Sequence, residues 1–430
     1  MKIAVVGMWH LGTVSAACLA SAGHTVIAFD NNAETVRGIQ KGQLPVFEPG
    51  LASLIQKELE AGRLSFSSDQ QDLRSAEVVW IGYDTPIDEN DRADVDTIIE
   101  KVAAIFPYVG QGTLVLISSQ LPVGSTRRLE DIYRRVRPDG TATFAYSPEN
   151  VRVGKAIESF TRPERVVVGT RAAPDRQRIA SLLNPFTERI EWMSVESAEM
   201  TKHALNAFLA TSVAFINELA ALCERVGADA KEVERGLKSD ARIGPRAYLG
   251  PGSAFGGGTL ARDLSYLVDL GHTEGLSSHL FPAVRLSNEL HKDWPRRRLM
   301  EVVGDVQGRA IAILGLTYKP GTDTLRRSSA IETCRWLSAR GAIVLAYDPA
   351  VRTLPIELTQ YIDLRSSIEE ALRGASAVLV ATEWPEFTSI TADELVRWME
   401  HPLVVDPGRF LEAHVGRDKR IRYLAVGRGA

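Results

Sequence analysis

The feature that most constrains the fold is a short pattern that occurs twice in the chain. An apolar run that ends in glycine stands at 2–7 (KIAVVG) and again at 310–315 (AIAILG). In each copy a second apolar run follows and ends in an acid, Asp30 in the first copy and Asp348 in the second. A strand, a glycine turn, a helix and a second strand ending in an acid form the opening unit of a doubly wound parallel sheet. The sequence therefore predicts two related α/β units.

The residues between the two copies divide into an alternating part and a helical part. Predicted strands in the alternating part are Lys2–Val6, Thr25–Phe29, Val78–Ile81, Leu114–Ser118, Thr143–Tyr146 and Arg165–Val168. From Ser197 to Arg298 the pattern becomes helical, and 198–226 contains neither proline nor glycine. We predict an α/β fold with two Rossmann-like doubly wound parallel-sheet domains, 1–196 and 301–430. They are joined by a central helical segment, 197–300, which also carries an active-site loop and a dimer interface.

Charge and cysteine content exclude several classes of protein. The 430 residues carry a net charge of -4, which gives no electrostatic reason to bind nucleic acid or an anionic membrane. The three cysteines are isolated, so neither a disulfide framework nor a zinc site is expected, and we predict no metal. A strand that begins at Lys2 leaves no room for a signal peptide, and no apolar run reaches about 18 residues. We expect a cytoplasmic protein without a membrane span.

The turn at 7–12 (GMWHLG) resembles the phosphate-binding fingerprint of a dinucleotide site. Such a turn places a pyrophosphate on backbone N–H groups at a helix N-terminus, and Asp30 would accept hydrogen bonds from both ribose hydroxyls, which favours NAD over NADP. The predicted cofactor-binding residues of this turn are Gly7, Trp9, His10, Leu11 and Gly12.

Trp9 departs from the fingerprint, because it stands where the second glycine lets the backbone approach the pyrophosphate. An indole there obstructs the cofactor unless it points away, so the alternative is a Rossmann unit that no longer binds a dinucleotide well. His10 is interpreted as a turn or packing residue. In the second copy Gly315 lacks partner glycines, and Lys319 and Arg326 offer cations for the phosphates of a nucleotide.

Further motifs follow one another along nearly the whole chain. They are P-x-x-E-P-G-L at 45–51, Asp84-Thr85-Pro86 with Asp94, P-V-G-S-T at 122–126, S-P-E at 147–149, E-x-x-K-x-x-x-N at Glu199, Lys202 and Asn206, R-I-G at 242–244, FGGGTLARD at 255–263, Lys319-Pro320, Asp323, Arg326, E-W-P at 383–385 and Gly408-Arg409. In this order they resemble the UDP-glucose/GDP-mannose dehydrogenase family. Members oxidise C6 of a nucleotide-linked sugar with NAD, capture the aldehyde on a cysteine, and release the acid after a second hydride transfer.

The resemblance implies roles for individual residues. Lys202 would stabilise oxyanion charge or relay a proton, Asn206 would donate a hydrogen bond, and Asp263 would orient a water that accepts the hydroxyl proton, with Glu149 nearby. The remaining implied cofactor contacts are Thr85, Pro86 and Arg326. The implied substrate contacts are Arg242, Phe255, Gly256, Gly257, Lys319 and Arg409. Without the resemblance, Lys202 and its carboxylate would be read as a structural ion pair. A UDP-hexose substrate, a homodimer or higher homo-oligomer, and a role in polysaccharide biosynthesis are also implied; GDP-linked and N-acetylated sugars remain open.

The departures from the family pattern lie at positions that have catalytic roles in the family. Thr259 stands in place of the catalytic cysteine, and a hydroxyl is a far weaker nucleophile than a thiolate. Gln120 replaces a threonine that helps to hold the catalytic water. Val153 replaces a second glutamate, and Arg262 replaces the lysine of the loop.

Three functions follow from this mixture of matches and departures. The first is an NAD-dependent nucleotide-sugar dehydrogenase that works without a thioester, since removal of one hydride needs only the cofactor, a base and charge stabilisation. Its product would be an aldehyde, or a ketone if a ring hydroxyl reacts; slow loss of a second hydride from the hydrated aldehyde, which yields the acid, stays open. The second is a redox-neutral epimerase or isomerase that keeps NAD bound. The third is a non-catalytic protein that binds a nucleotide sugar as a sensor or partner subunit.

Overall fold

The computed structural model describes residues 1–86, 93–149, 151–152, 154–256 and 258–429. The chain divides into two compact units, Met1–Leu205 and Asn206–Ala430. This division is coarser than the three domains that the sequence predicts, and the boundaries at 196 and 300 stay a prediction.

The first unit is built on an eight-stranded sheet with strand order β3-β2-β1-β4-β5-β6-β7-β8. Its strands are β1 Lys2–Val6, β2 Thr25–Phe29, β3 Leu64–Ser67, β4 Val78–Ile81, β5 Leu114–Ile117, β6 Thr143–Tyr146, β7 Val166–Thr170 and β8 Ile190–Met193. Its helices are α1 His10–Ser21, α2 Ala33–Gln40, α3 Leu51–Glu60, α4 Val95–Ile105, α5 Ser125–Val136, α6 Ala156–Thr161 and α7 Ala173–Leu183. All neighbouring strands are parallel except β6 and β7.

The strands are continuously apolar because both faces of the sheet are covered. In β1, Ile3 and Val5 belong to the core cluster that includes α1, whereas Ala4 and Val6 belong to a second cluster that includes α4. Alternate side chains of a strand point to opposite faces, so one strand supplies two cores. The sheet brings the C-terminal ends of β1, β2 and β4 to one edge, which is where ligands bind in such folds.

The second unit begins within α8 Val195–Val226, a helix that starts in the first unit. Its other helices are α9 Ala230–Ser239, α10 Thr259–Thr273, α11 Leu280–Lys292, α12 Trp294–Val303, α13 Ser329–Ser338, α14 Ile368–Leu372 and α15 Ala392–Trp398. Its strands are β9 Ala310–Leu314, β10 Ile343–Tyr347, β11 Asp363–Leu364, β12 Ala377–Val380, β13 Leu403–Val405 and β14 Arg422–Leu424. They form a sheet of order β11-β10-β9-β12-β13-β14 in which the paired strands are parallel.

The predicted fold class is confirmed: the structure has two parallel-sheet Rossmann-like regions with a helical segment between them. The order of the first six strands of the first sheet is repeated in the second, as the twofold pattern in the sequence predicts. The prediction missed β3 and β8 in the first sheet and β11 and β14 in the second. Strands β3 and β8 carry polar residues in short runs, because they lie at the two edges of their sheet.

The sequence predicts that no segment could span a membrane, and helix α8 departs from that prediction. Among the described residues it is the one helix whose length and apolar composition would suffice. The expectation counted uninterrupted apolar runs, whereas α8 is interrupted by Glu199 and Lys202. Core helices of ordinary globular proteins pass the same test, so this is weak evidence for a membrane span.

Candidate functional site

The turn after β1 requires two of the glycines that the fingerprint provides. Gly7 has φ +99°, and a Cβ there would lie 2.5 Å from the Tyr83 ring. A Cβ on Gly12 would lie 1.8 Å from the Gly7 carbonyl oxygen. The first glycine therefore makes the turn, and the third lets α1 approach the strand.

Trp9 occupies the position of the second glycine without strain. Its φ of -108° is accessible to any residue. The residue is 53% exposed, so the indole lies towards solvent and does not fill the turn. His10, by contrast, is buried, and its Nε2 lies 3.3 Å from Glu48 Oε2. Glu48 also accepts backbone N–H groups after β6, which makes the His10–Glu48 contact part of the packing beneath the turn.

Asp30 ends β2 beside this turn. Its Oδ2 accepts a hydrogen bond from the Met8 N–H at 2.7 Å, and its Oδ1 accepts one from the Asn32 N–H at 2.9 Å. The carboxylate is only half-buried, so an oxygen of Asp30 has room to accept ribose hydroxyls as well. A tight glycine turn, the N-terminus of α1 and an accessible acid fit NAD, with the pyrophosphate at the helix N-terminus.

A second acid, Asp84, enters this site from the loop after β4. Its Oδ2 accepts the Leu11 N–H at 3.2 Å. Next to it the Thr85 hydroxyl donates to the Gln120 carbonyl oxygen at 2.8 Å, while Pro86 is exposed. The structure thus brings Thr85 and Gln120 together at the sheet edge, and it places Asp84, the first residue of the Asp84-Thr85-Pro86 motif, at the N-terminus of α1.

Lys202 and Glu149 form an ion pair in the first unit. Lys202 Nζ lies 3.3 Å from Glu149 Oε1 and donates a hydrogen bond to the Glu149 carbonyl oxygen at 2.6 Å. Lys202 is buried, and the other carboxylate oxygen of Glu149 accepts the Val151 N–H. A buried lysine fixed beside a carboxylate can hold and return a proton.

Glu199 lies one turn before Lys202 and caps α5. Its carboxylate accepts the Gly124 N–H, the Thr126 N–H and the Thr126 hydroxyl at 2.7, 2.9 and 2.7 Å. Burial raises the pKa of Glu199, while the hydrogen bonds from Thr126 and Gly124 lower it. The P-V-G-S-T turn and the first residue of the E-x-x-K-x-x-x-N motif are therefore one structural unit that fixes the position of Lys202.

In the second unit Asp263 is fully buried and accepts a hydrogen bond from the Asn206 amide. Arg262 Nε lies 3.6 Å from the other oxygen of Asp263. Asp263 lies in the second turn of α10, the helix that begins at Thr259. The structure therefore joins Asn206 and Asp263, as the resemblance implies, and adds Arg262 to the pair.

Thr259 is the first residue of α10 and is exposed. Gly258 before it has φ +122°, a conformation that residues with a Cβ rarely adopt. Gly257 and Val153 lie outside the described residues. The three cysteines of the chain, Cys18, Cys223 and Cys334, all lie within the described part and are buried in helices.

Burial keeps two of these thiols, Cys18 and Cys334, in the protonated form. Burial, with a smaller contribution from Glu48, raises the pKa of Cys18 to about 12, and burial raises that of Cys334 to about 12. Cys223 is buried in α8. No described cysteine therefore replaces the one that is absent at position 259.

The loop that precedes Thr259 is held by three polar side chains that the sequence motifs missed. Asn288 bridges the Phe255 backbone, since its Oδ1 accepts the Phe255 N–H and its Nδ2 donates to the Phe255 carbonyl oxygen, each at 2.9 Å. Asn217 Oδ1 accepts the Gly252 N–H at 3.0 Å, and His291 Nε2 lies 2.8 Å from the Gly252 carbonyl oxygen. Burial lowers the pKa of His291. Polar residues at buried positions of α8 and α11 are the signal that could have found them.

The remaining predicted substrate residues are in separate local pairings. Arg409 is buried, with Nη1 3.0 Å from Asp229 Oδ2 and Nε 3.3 Å from the Val426 carbonyl oxygen. Arg242 is exposed and pairs with Asp240. The ammonium of Lys319 lies over the Tyr318 ring, Arg326 is exposed, and Gly256 is half-buried in the loop before Thr259.

Comparisons with known proteins match the chain along its length. Residues 1–187 match the NAD binding domain of the UDP-glucose/GDP-mannose dehydrogenase family, residues 196–290 its central domain and residues 312–413 its UDP binding domain. A UDP-glucose 6-dehydrogenase of Rhizobium meliloti is 34% identical over 436 residues, covering 100% of both chains. One of Pseudomonas aeruginosa is 34% identical over 432 residues, covering 96% of this chain and 94% of the relative. The structure of a UDP-glucose dehydrogenase from the archaeon Pyrobaculum islandicum has a TM-score of 0.87 at 28% identity, covering 100% of this chain and 98% of that one.

Proposed function

The chain belongs to the UDP-glucose/GDP-mannose dehydrogenase family, and from that premise we propose that it oxidises a hydroxyl, at C6, of the hexose in a UDP-sugar. NAD is the cofactor, and when bound it accepts the hydride that leaves the sugar carbon. The similarity to UDP-glucose 6-dehydrogenases over the full chain carries the proposal. Neither a redox-neutral isomerase nor a non-catalytic binding protein is favoured by these relatives.

The residues divide the work between charge stabilisation and proton transfer. Lys202, buried beside Glu149, supplies the positive charge that stabilises a developing oxyanion. Asp263, fixed by the Asn206 amide, orients the water that accepts the hydroxyl proton. For the cofactor, Asp30 accepts the ribose hydroxyls, and the N-terminus of α1 holds the pyrophosphate.

We further propose that the reaction proceeds without a sulfur-linked intermediate and ends at the aldehyde. Thr259 stands at the family's cysteine position, and the chain's three thiols are buried away from solvent. A hydroxyl has too high a pKa to form the anion that captures an aldehyde at neutral pH. The second oxidation therefore lacks its usual nucleophile.

The experiment counts NADH formed per UDP-glucose consumed under anaerobic conditions and identifies the product by mass spectrometry. The wild-type chain is expected to give one NADH per sugar and an aldehyde. Thr259→Cys is expected to give two NADH and the sugar acid, whereas the matched variant Thr259→Ser keeps the hydroxyl and stays at one. Two NADH from the wild type would overturn the single oxidation, and no NADH across a panel of UDP-, GDP- and N-acetylated sugars would overturn the dehydrogenase itself.

We also propose that the protein forms a homo-oligomer in the cytoplasm, with a second copy packing on α8. Phe208, Phe215 and Leu222 follow one another at seven-residue spacing and are 68%, 50% and 63% exposed. Apolar residues at this spacing line one face of a helix and suit packing against an identical helix. Sedimentation equilibrium of the purified chain measures the oligomeric state, and a monomer at micromolar concentration would contradict the proposal.

A further inference from the structure

The N-terminus of α1 already holds a negative charge from the protein itself. Helix α1 begins at His10, so the Leu11 N–H is one of the first-turn donors that have no partner within the helix. Asp84 Oδ2 accepts this N–H at 3.2 Å. A dinucleotide turn reserves this group of donors for the pyrophosphate of the cofactor. A carboxylate oxygen therefore lies on the donor that a phosphate oxygen would use.

Asp84 reaches this position from a different strand. It lies two residues after Gly82, at the C-terminal end of β4, which pairs with β1 in the sheet. A Cβ on Gly82 would approach Gly12 Cα to 3.0 Å, so the β4 loop and the first turn of α1 pack backbone against backbone. This close packing places the backbone of the β4 loop beside the start of α1, within reach of the Asp84 side chain.

Desolvation sets the proton affinity of Asp84, and the charged groups around it adjust that affinity. His10 faces it from α1, and Glu149 faces it from the end of β6; Glu149 is itself paired with Lys202, and His10 with Glu48. Solvent reaches Asp84 on one side, but the protein atoms around the carboxyl desolvate it and raise its pKa to about 6. The Leu11 N–H and His10 lower the pKa, and Glu149 raises it.

We propose that Asp84 is an internal anion that competes with the pyrophosphate of NAD for the N-terminus of α1. The inference rests on the assignment of NAD to this turn. When the cofactor binds, two negative groups cannot share the same donors without strong repulsion, because charges a few ångströms apart interact strongly in a partly desolvated cleft. Asp84 must then rotate away or take up a proton. Asp84 thus sets the affinity for the cofactor and couples it to pH.

The direction in which the affinity for NAD changes with pH follows from this competition. Below about pH 6 the Asp84 carboxyl is protonated in the free protein and presents no charge to the pyrophosphate. Above that pH the free protein carries the carboxylate, and binding must displace it or protonate it. The affinity for NAD therefore falls as pH rises through 6 and above.

Calorimetric titration of the full chain with NAD from pH 5.5 to 8.5 tests the proposal, with binding rather than turnover as the readout. The wild type is expected to lose affinity roughly tenfold between pH 6 and pH 8. Asp84→Asn removes the charge and keeps an oxygen for the Leu11 N–H, whereas Asp84→Ala removes both. Both variants are expected to bind NAD roughly tenfold more tightly than the wild type at pH 8 and with little dependence on pH.

Two further variants test whether a charged group other than Asp84 causes the pH dependence of NAD binding. Asp131→Asn removes one charge from the exposed face of α5 and is expected to behave as the wild type. His10→Gln removes the imidazole that faces Asp84 from α1 and is expected to keep the pH dependence. Loss of the pH dependence in His10→Gln with its retention in Asp84→Asn would overturn the proposal. Weaker NAD binding in both Asp84 variants would also overturn it, because Asp84 would then be a ligand of the cofactor.

The outcomes also distinguish this inference from the proposed function. If the wild type binds NAD and the Asp84 variants match it at every pH, the cofactor assignment stands and the competing role of Asp84 is wrong. If only the Asp84 variants bind NAD at pH 8, both are supported. If no variant binds NAD at any pH, both are wrong.

Discussion

The turns after β1 and β9 have the same design but use their acid differently. Gly7 and Gly315 both have positive φ, +99° and +91°, and each is packed against the strand next in the sheet, so that an added Cβ would meet Tyr83 or Thr382. Asp30 and Asp348 end the neighbouring strand in each unit. The backbone geometry of the turn is therefore shared.

The difference lies in what surrounds the acid. Asp348 is buried, and its Oδ2 accepts the Leu316 N–H, the Thr317 N–H, the Thr317 hydroxyl and the Trp384 indole N–H. Asp30 accepts two backbone N–H groups and stays half-exposed. In the second unit the acid is fully used by the chain, whereas in the first it is available to a ligand.

The helix after each turn shows the same contrast. Helix α1 begins three residues after Gly7, so its N-terminus adjoins the turn. After Gly315 the next helix begins only at Ser329, and the loop between them carries Lys319 and Arg326. One unit offers backbone donors to a phosphate and the other offers side-chain cations. A shared fold therefore fixes where a ligand binds, while local contacts fix how it is held.

The largest expected effect is on stability and belongs to Asp348. Asp348→Ala leaves the Leu316 and Thr317 N–H groups without their acceptor in a buried place and leaves the Trp384 indole N–H only the Thr317 hydroxyl, at a cost on the order of 3 kcal/mol. Urea unfolding of the variant measures the change. Asp30→Ala is the matched control, and we expect it to cost about 1 kcal/mol, because solvent can satisfy the exposed N–H groups. Equal losses in the two variants would break the comparison.

The next effect is on cofactor affinity and belongs to Asp30. Asp30→Ala removes the acceptor for the ribose hydroxyls, and we expect the Kd for NAD to rise roughly tenfold or more, while UDP binding stays unchanged. Calorimetry with NAD and with UDP measures both. A normal Kd for NAD in this variant would show that Asp30 is as structural as Asp348.

The smallest effect compares the residues two positions after each glycine. Thr317 is buried and hydrogen-bonded to Asp348, so Thr317→Ala is expected to lower the free energy of unfolding by about 1 kcal/mol. Trp9 is half-exposed with an ordinary φ, so Trp9→Ala is expected to change the free energy of unfolding by less than about 0.5 kcal/mol. Thermal unfolding of both variants tests this, and a larger loss for Trp9→Ala would contradict the comparison, because the indole would then pack on the turn.

The fold and the turn could be predicted from sequence because they depend on local rules. Gly7, Gly12 and Asp30 follow from the spacing of a strand, a tight turn and a second strand. The pairing of Asn206 with Asp263 spans 57 residues, and that of Thr126 with Glu199 spans 73, so spacing alone cannot find them. For the first pair, resemblance to a family supplied the expectation.

For other site residues the sequence shows the position but not the contact. Asp84 belongs to the Asp84-Thr85-Pro86 motif, and only the packing of the loop after β4 against α1 places its carboxylate on the Leu11 N–H. Asn288 and His291 read as polar positions of an amphipathic helix, and their role emerges only when the loop before Thr259 lies against them. Such residues are found by tracing the partners of buried polar atoms.

The conformation of Gly258 separates the two changes in the family loop. The family loop has serine where this chain has Gly258, and a φ of +122° costs a residue with a Cβ on the order of 1–3 kcal/mol. Thr259 is instead an exposed first residue of α10, so a thiol can be returned there without that cost. The serine is the residue that this backbone resists, and the reactivity of the loop is open to a single substitution at position 259.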